Sequence, residues 1–310
     1  MDIFEKLQNL DKRVFYILMA LAIAIPTINP IGLPIDITKP VKDTFDFVQS
    51  LPDGSQVLIG FDYEPGDEID LSPIAEAIFH QLASKSIKIV ALASYPAGPT
   101  FAEECLEVLE EYGYKYGEDY VNLGHYAGGE PTLAAFANDP LSIFARDWRG
   151  NDVSSLAIMK QVSSMKDFSM AMTLNDGPTG GTGTHEWVRQ AVMAHGTPLI
   201  MGVTGVMAAS NQTYVQSGQC KGILAGLRAA AEYEKLTGKK GTGTVGMDAQ
   251  SIAHILIVAF VVLGNIGMFV VRRPRVQPAS ISASKPGSNS PSKPGSDPSS
   301  KPVTPGGEGK

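Results

Sequence analysis

The chain has 310 residues and a formal charge of −7, from 25 Lys and Arg against 32 Asp and Glu. With a pI near 5.3 and no Lys/Arg cluster interleaved with aromatics in its central segment, it lacks the footprint of a nucleic-acid binder. Two cysteines, Cys105 and Cys220, are too few for a disulfide scaffold or a thiolate metal cage. Buried free thiols are expected, with a single disulfide as the alternative if the domain lies outside the cytoplasm.

Taken in chain order, Lys12 and Arg13 introduce an apolar stretch, 14–33, about as long as the ~20 residues that span a bilayer. No small-x-small site follows, so an uncleaved anchor is expected instead of a signal peptide. Pro26 and Pro30 are expected to kink or end the helix near its far side.

Past Pro34 the pattern changes to apolar runs alternating with amphipathic stretches, over 35–240. The turn Pro52-Asp53-Gly54 introduces a strand at 56–63. Ser72 and Pro73 read as N-cap and first residue of a helix, with Ile74, Ala77, Ile78 and Leu82 on one face. A second strand is expected at 87–93, continuous and apolar because both sheet faces are covered. Thr100 and Glu103 fit a capping box opening a helix through Glu111. Further strands are expected at 120–123, 169–174 and 199–203, and helices at 131–137, 155–165 and 186–194. A long helix over 217–236, stopped by Gly238, would line Gly218, Gly222, Gly226 and Ala230 along one face. That stripe suits close packing, or self-association. Strands alternating with helices predict an α/β, doubly wound, mainly parallel sandwich, Rossmann-like or flavodoxin-like, anchored by two transmembrane helices.

Gly241-Thr242-Gly243-Thr244-Val245-Gly246 opens a linker, 241–250, read as a hinge into a second apolar span, 252–271. Its strongly polar members are His254, near the boundary, and Asn265, placed deep enough to bond another helix. Arg272, Arg273 and Arg275 follow. With Lys12 and Arg13 they assign residues 1–13 and the chain's end to the cytoplasm and the domain to the other side. Lys39, Lys42, Lys235, Lys239 and Lys240 weaken that asymmetry. Asn211-Gln212-Thr213 matches a glycosylation sequon. The tail, 274–310, is Ser, Pro, Lys and Gly and is expected to be disordered.

Ligands of open α/β sheets bind beyond the carboxyl ends of the strands. Applied here, that rule collects Asp62, Glu64, Ser94, Asn175, Asp176 and Thr204 as candidate ligand-binding residues. To them it adds the loop 177–184, with Gly180, Gly181, Thr182, Gly183 and Thr184, whose amides suit an anion at a helix start. The loop fits neither the P-loop nor the Gly-x-Gly-x-x-Gly pattern. Asp62, Glu64 and Asp176 with His125 or His185 could make a metal or acid/base site, but Asp and Glu are common at strand ends because they accept turn amides. Arg189 stands where a zinc-protease helix needs its second His, and no Gly-x-Ser-x-Gly elbow exists. No motif names a cofactor.

The expectation is a membrane-anchored, non-catalytic subunit or scaffold whose α/β domain binds a partner protein or small ligand at the membrane surface. Its partners would be the lipid bilayer and either other subunits of a membrane complex or further copies of itself. The alternative is a membrane-tethered enzyme acting on an anionic small molecule at the carboxyl ends of the strands.

Overall fold

The computed structural model describes residues 11–177 and 181–270, with side chains through residue 266. Gly180, the arginines at 272, 273 and 275, and the tail 274–310 lie outside the described residues. The elements in order are α1 (Lys12–Ile28), α2 (Lys39–Ser50), β1 (Gln56–Asp62), α3 (Glu68–Ser84), β2 (Lys88–Ala93), α4 (Gly98–Leu106), β3 (Tyr120–His125) and α5 (Glu130–Asn138). There follow β4 (Met170–Asn175), α6 (Thr184–Trp187, continued as a π-helix over Val188–Ala194), β5 (Leu199–Val203), α7 (Ala208–Gln216), β6 (Gly222–Ala225), α8 (Gly226–Thr237) and α9 (Thr242–Val270).

The six strands form one parallel sheet in the order β3-β2-β1-β4-β5-β6. This is the Rossmann strand order, not the flavodoxin-like one, and its reversal lies between β1 and β4. Side chains alternate across each strand. Val57, Ile59 and Phe61 therefore face a core shared with α2, α3, α4 and α8. Leu58 faces a second core that holds Phe136 of α5 and Trp187 of α6. Burial on both faces explains why the strands read as continuous apolar runs.

Several expected boundaries change. The 3-10 turn Pro65–Asp67 lets α3 start at Glu68, so Ser72 lies inside the helix and its hydroxyl meets Tyr63 Oη at 2.8 Å instead of capping. Likewise α4 begins at Gly98, leaving Glu103 to accept from Asn122 Nδ2 at 3.1 Å and to pair with Arg149. The helix expected over 155–165 is three 3-10 turns, Val153–Ser155, Ala157–Met159 and Met165–Asp167. Short polar side chains compete with the helical ladder there: Asp167 accepts from Ser163 and Ser164 amides, and Asp152 from the Ser154 amide.

The long helix expected over 217–236 does not exist. Ser217 ends α7, Gly218 turns with φ +77°, Gly222–Ala225 is the edge strand β6, and Gly226 opens α8 with φ +64°. The four small residues therefore form no stripe. Cys220 lies in the connection before β6, buried in one core, and Cys105 lies in the other. Both are free thiols, separated by the sheet.

The segment read as a hinge is helical. α9 runs unbroken from Thr242, and its first amides are satisfied by Glu234 of α8. Glu234, 2% exposed, accepts from the amides of Gly241, Gly243 and Thr244 at 2.7–2.9 Å and from Thr244 Oγ1 at 2.5 Å. Two more buried carboxylates complete this junction. Asp248 accepts from the Gly32 and Leu33 amides at 2.6 and 2.8 Å, and Glu232 from Thr38 N and Oγ1, both at 2.7 Å. Beyond the junction α1 lies antiparallel along α9, with Phe15 and Phe260 edge to face at 4.8 Å.

Among the described residues one helix, over Thr242–Ile266, is long and apolar enough to cross a membrane. α1, with 17 residues and Pro26 inside it, is shorter than the expected 14–33 span.

Candidate functional site

At the strand-order reversal, Asp62 closes β1 opposite Asn175 of β4. Both side chains are fully buried. Asp62 Oδ1 accepts from the Ser94 amide at 2.9 Å and Ser94 Oγ at 2.6 Å; Oδ2 accepts from Trp187 Nε1 at 2.7 Å and Thr173 Oγ1 at 3.2 Å. Gly60 makes this possible, because a Cβ there would stand 2.5 Å from Trp187 Cζ2. Burial pushes the Asp62 carboxyl up to about 6, against the opposing pull of its donors.

The network continues into the glycine-rich loop. Thr182 donates its amide to Ser94 Oγ at 3.0 Å, and its hydroxyl lies 2.7 Å from Tyr126 Oη. Asn175 Nδ2 donates to Thr173 Oγ1 and Thr184 Oγ1, both at 3.2 Å, and Asn175 Oδ1 accepts from the Gly177 amide at 3.2 Å. The Gly183 amide donates to Glu186 Oε2 at 2.9 Å. Gly181 packs so closely that a Cβ would stand 2.6 Å from Ser94 Oγ and from the Tyr95 ring. The amides expected to cradle an anion are thus spent within the protein at Thr182 and Gly183, and Gly181 and Thr182 pack against Ser94 at the end of β2, where a ligand would enter.

The candidates therefore divide. Asp62, Ser94, Asn175, Thr182, Gly183 and Thr184 come together as a buried polar network, with half-buried Gly181 packed against it. Glu64 is exposed outside it, and Asp176 is half-buried beside Asp67. The Asp67 carboxyl is raised, first by burial and then by the charge of Asp176. Negative charge at this edge disfavours an anionic ligand. Thr204 is 4% exposed at the end of β5, and its hydroxyl has no hydrogen-bond partner among the described residues.

The pocket next to the network, between Asn175, Thr184, His185, Met207 and Tyr214, encloses about 180 Å³. Ordinary small-molecule sites enclose about 300–1,000 Å³. No group of three or more His, Cys, Asp or Glu arranged to hold a metal occurs among the described residues. His125 is exposed at the end of β3. Asn211 of the sequon is 4% exposed within α7 and donates to the Met207 carbonyl at 3.0 Å, so it is closed to glycosylation in the folded chain.

Reading the strand ends alone misses Thr173, Tyr126 and Trp187. Thr173 carried a signal, as a polar residue inside an apolar strand. Trp187 and Tyr126 carried none, because their partners are remote in sequence. Asn265, the candidate for an intramembrane contact, donates Nδ2 to the Val261 carbonyl of its own helix at 2.8 Å.

No protein-family model matches the chain, and no curated protein matches it.

Proposed function

We propose that this protein is a membrane-anchored, non-catalytic subunit or scaffold, whose α/β domain is presented at the membrane surface to bind a partner protein or small ligand. The observation that carries the reading is the junction. α9 leaves the domain without a break, its first turn fastened to buried Glu234, and its outer reach exposes Ile255, Val258, Val262 and Ile266. An apolar surface of that extent needs lipid or other helices to cover it. α1 packed alongside makes a helical hairpin, read here as a two-pass anchor with cytoplasmic termini and the domain on the opposite side. Lys12 and Arg13 support that orientation.

The non-catalytic part rests on the strand-order reversal, where Asp62 and Asn175 are taken up by neighbouring side chains and amides and the adjoining pocket is small. An enzyme acting on an anion has less support, because Glu64, Asp67 and Asp176 bring carboxylates together at that edge.

The test begins with washing membranes in alkaline carbonate and continues with purification of the intact chain in mild detergent. Retention through the wash and a stoichiometric membrane partner, or a defined homo-oligomer, is the expected result. A chain released by the wash ends the anchoring reading. An anchored monomer that turns over a small molecule ends the scaffold reading.

A further inference from the structure

A cavity of about 590 Å³ lies at the junction, where the segment 32–36 crosses the ends of α8 and α9. Its charged lining is Arg228, Lys235, Lys240, Asp36, Glu234 and Asp248. Glu234 and Asp248 are spent on backbone amides, as described above. Lys235 and Lys240, in contrast, meet only neutral oxygens. Lys235 Nζ donates to the Ile35 carbonyl at 2.7 Å and Lys240 Nζ to the Ile31 carbonyl at 3.4 Å. Neither has a carboxylate within ion-pair distance among the described residues. Each ammonium has three donors, so most of their capacity is open. Arg228 uses Nε on Glu232, leaving its remaining N–H groups.

We infer that this cavity is a glycerophospholipid headgroup site, in which Lys235, Lys240 and Arg228 hold the phosphate. Three observations converge on it. The two lysines without a carboxylate partner among the described residues, beside the free N–H groups of Arg228, suit a phosphodiester. The volume far exceeds a free phosphate and fits a headgroup with its glycerol. Leu33 and Met247 in the same lining run on to exposed Ile28, Ile31 and Ile255, giving acyl chains an apolar path along the helices. Asp36, exposed at the rim, suits a headgroup ammonium or hydroxyl.

The inference rests on the anchoring reading above, and the test separates the two. Full-length protein and Lys235→Gln/Lys240→Gln are purified from carbonate-washed membranes in mild detergent, and bound phospholipid is quantified by extraction and mass spectrometry. Lys42→Gln, which removes an exposed ammonium elsewhere, is the charge control. The expected result is about one phospholipid per chain in the wild type and the control. The double variant should retain at least tenfold less while remaining in the membrane with an unchanged melting temperature. Equal retention in the double variant, or a membrane-integral wild type without lipid, overturns the site. Displacement of the lipid by millimolar inorganic phosphate overturns the lipid source in favour of a phosphate site. Release of the wild type by the carbonate wash overturns the anchoring reading itself.

Discussion

Asp62 titrates against its surroundings, and that fixes the sign of a pH effect. An unperturbed Asp loses its proton near 3.9, whereas the folded protein holds it until about 6. Between those values the native state binds more protons at Asp62 than the unfolded one, so the Asp62 contribution to stability falls as pH rises from about 4 to about 6 and is flat above. The pH dependence of thermal unfolding in Asp62→Asn should lack that contribution, so its stability should fall less, or rise more, than the wild type's over this range. At pH 7 the variant should be less stable by about 1–3 kcal/mol, because its new amide must face either Ser94 or the Trp187 N–H, one donor against another. Gly60→Ala tests the same hub from below: its methyl displaces Trp187, costing about 1–3 kcal/mol and shifting the indole fluorescence. Thr204→Val removes a buried hydroxyl without a partner, and its melting temperature should stay level or rise. A clear fall would show that the hydroxyl has a partner after all. Asp62 and Asn175 were legible from sequence because strand ends face the reversal. The donors that consume Asp62 were not, since Trp187 stands 125 residues away and only the fold brings it in.

The elements show where local pattern suffices and where it does not. β1, β2, β4 and β5 could be placed from continuous apolar runs, because full burial on two faces leaves an unambiguous signature. β6 could not. Its four residues, Gly222–Ala225, carry too little pattern to outweigh the helical periodicity of their neighbours, and the φ +77° at Gly218 is invisible in composition. The same limit hid the junction: Gly241–Gly246 reads as a hinge because glycine weakens helices by about 1 kcal/mol each. What offsets that cost is Glu234, which accepts from three amides and one hydroxyl at the start of α9. Glu234→Gln places a donor among donors, and should raise hydrogen exchange in the first turns of α9 while leaving the sheet protected. Gly243→Leu should do so more severely, since its Cβ alone would stand 2.7 Å from Glu234 Oε1 and 2.8 Å from Ala230 Cβ. Protection in α9 that survives both changes would show that the helix is fastened by something other than this cap.

For the whole molecule the sheet is a partition as well as a scaffold. Cys105 and Cys220 are buried on opposite sides of it, and burial raises both thiols, Cys220 to about 12. Neither should react with a maleimide until the protein unfolds, and no intramolecular disulfide should form under oxidation; a mass loss of two protons would refute this. With the native thiols silent, a single Lys160→Cys on the exposed surface becomes a clean reporter of sidedness. An impermeant maleimide should label it in intact cells if the domain lies outside the cytoplasm. The unbroken run of α9 adds a mechanical consequence. At ~1.5 Å per residue its 29 residues measure about 44 Å, against a hydrocarbon thickness of about 30 Å. In a bilayer the remainder would act as a stiff post, setting the height of the sheet above the lipid and its angle of roll. Any neighbour that twisted or tilted this helix from within the membrane would therefore swing the whole domain with it.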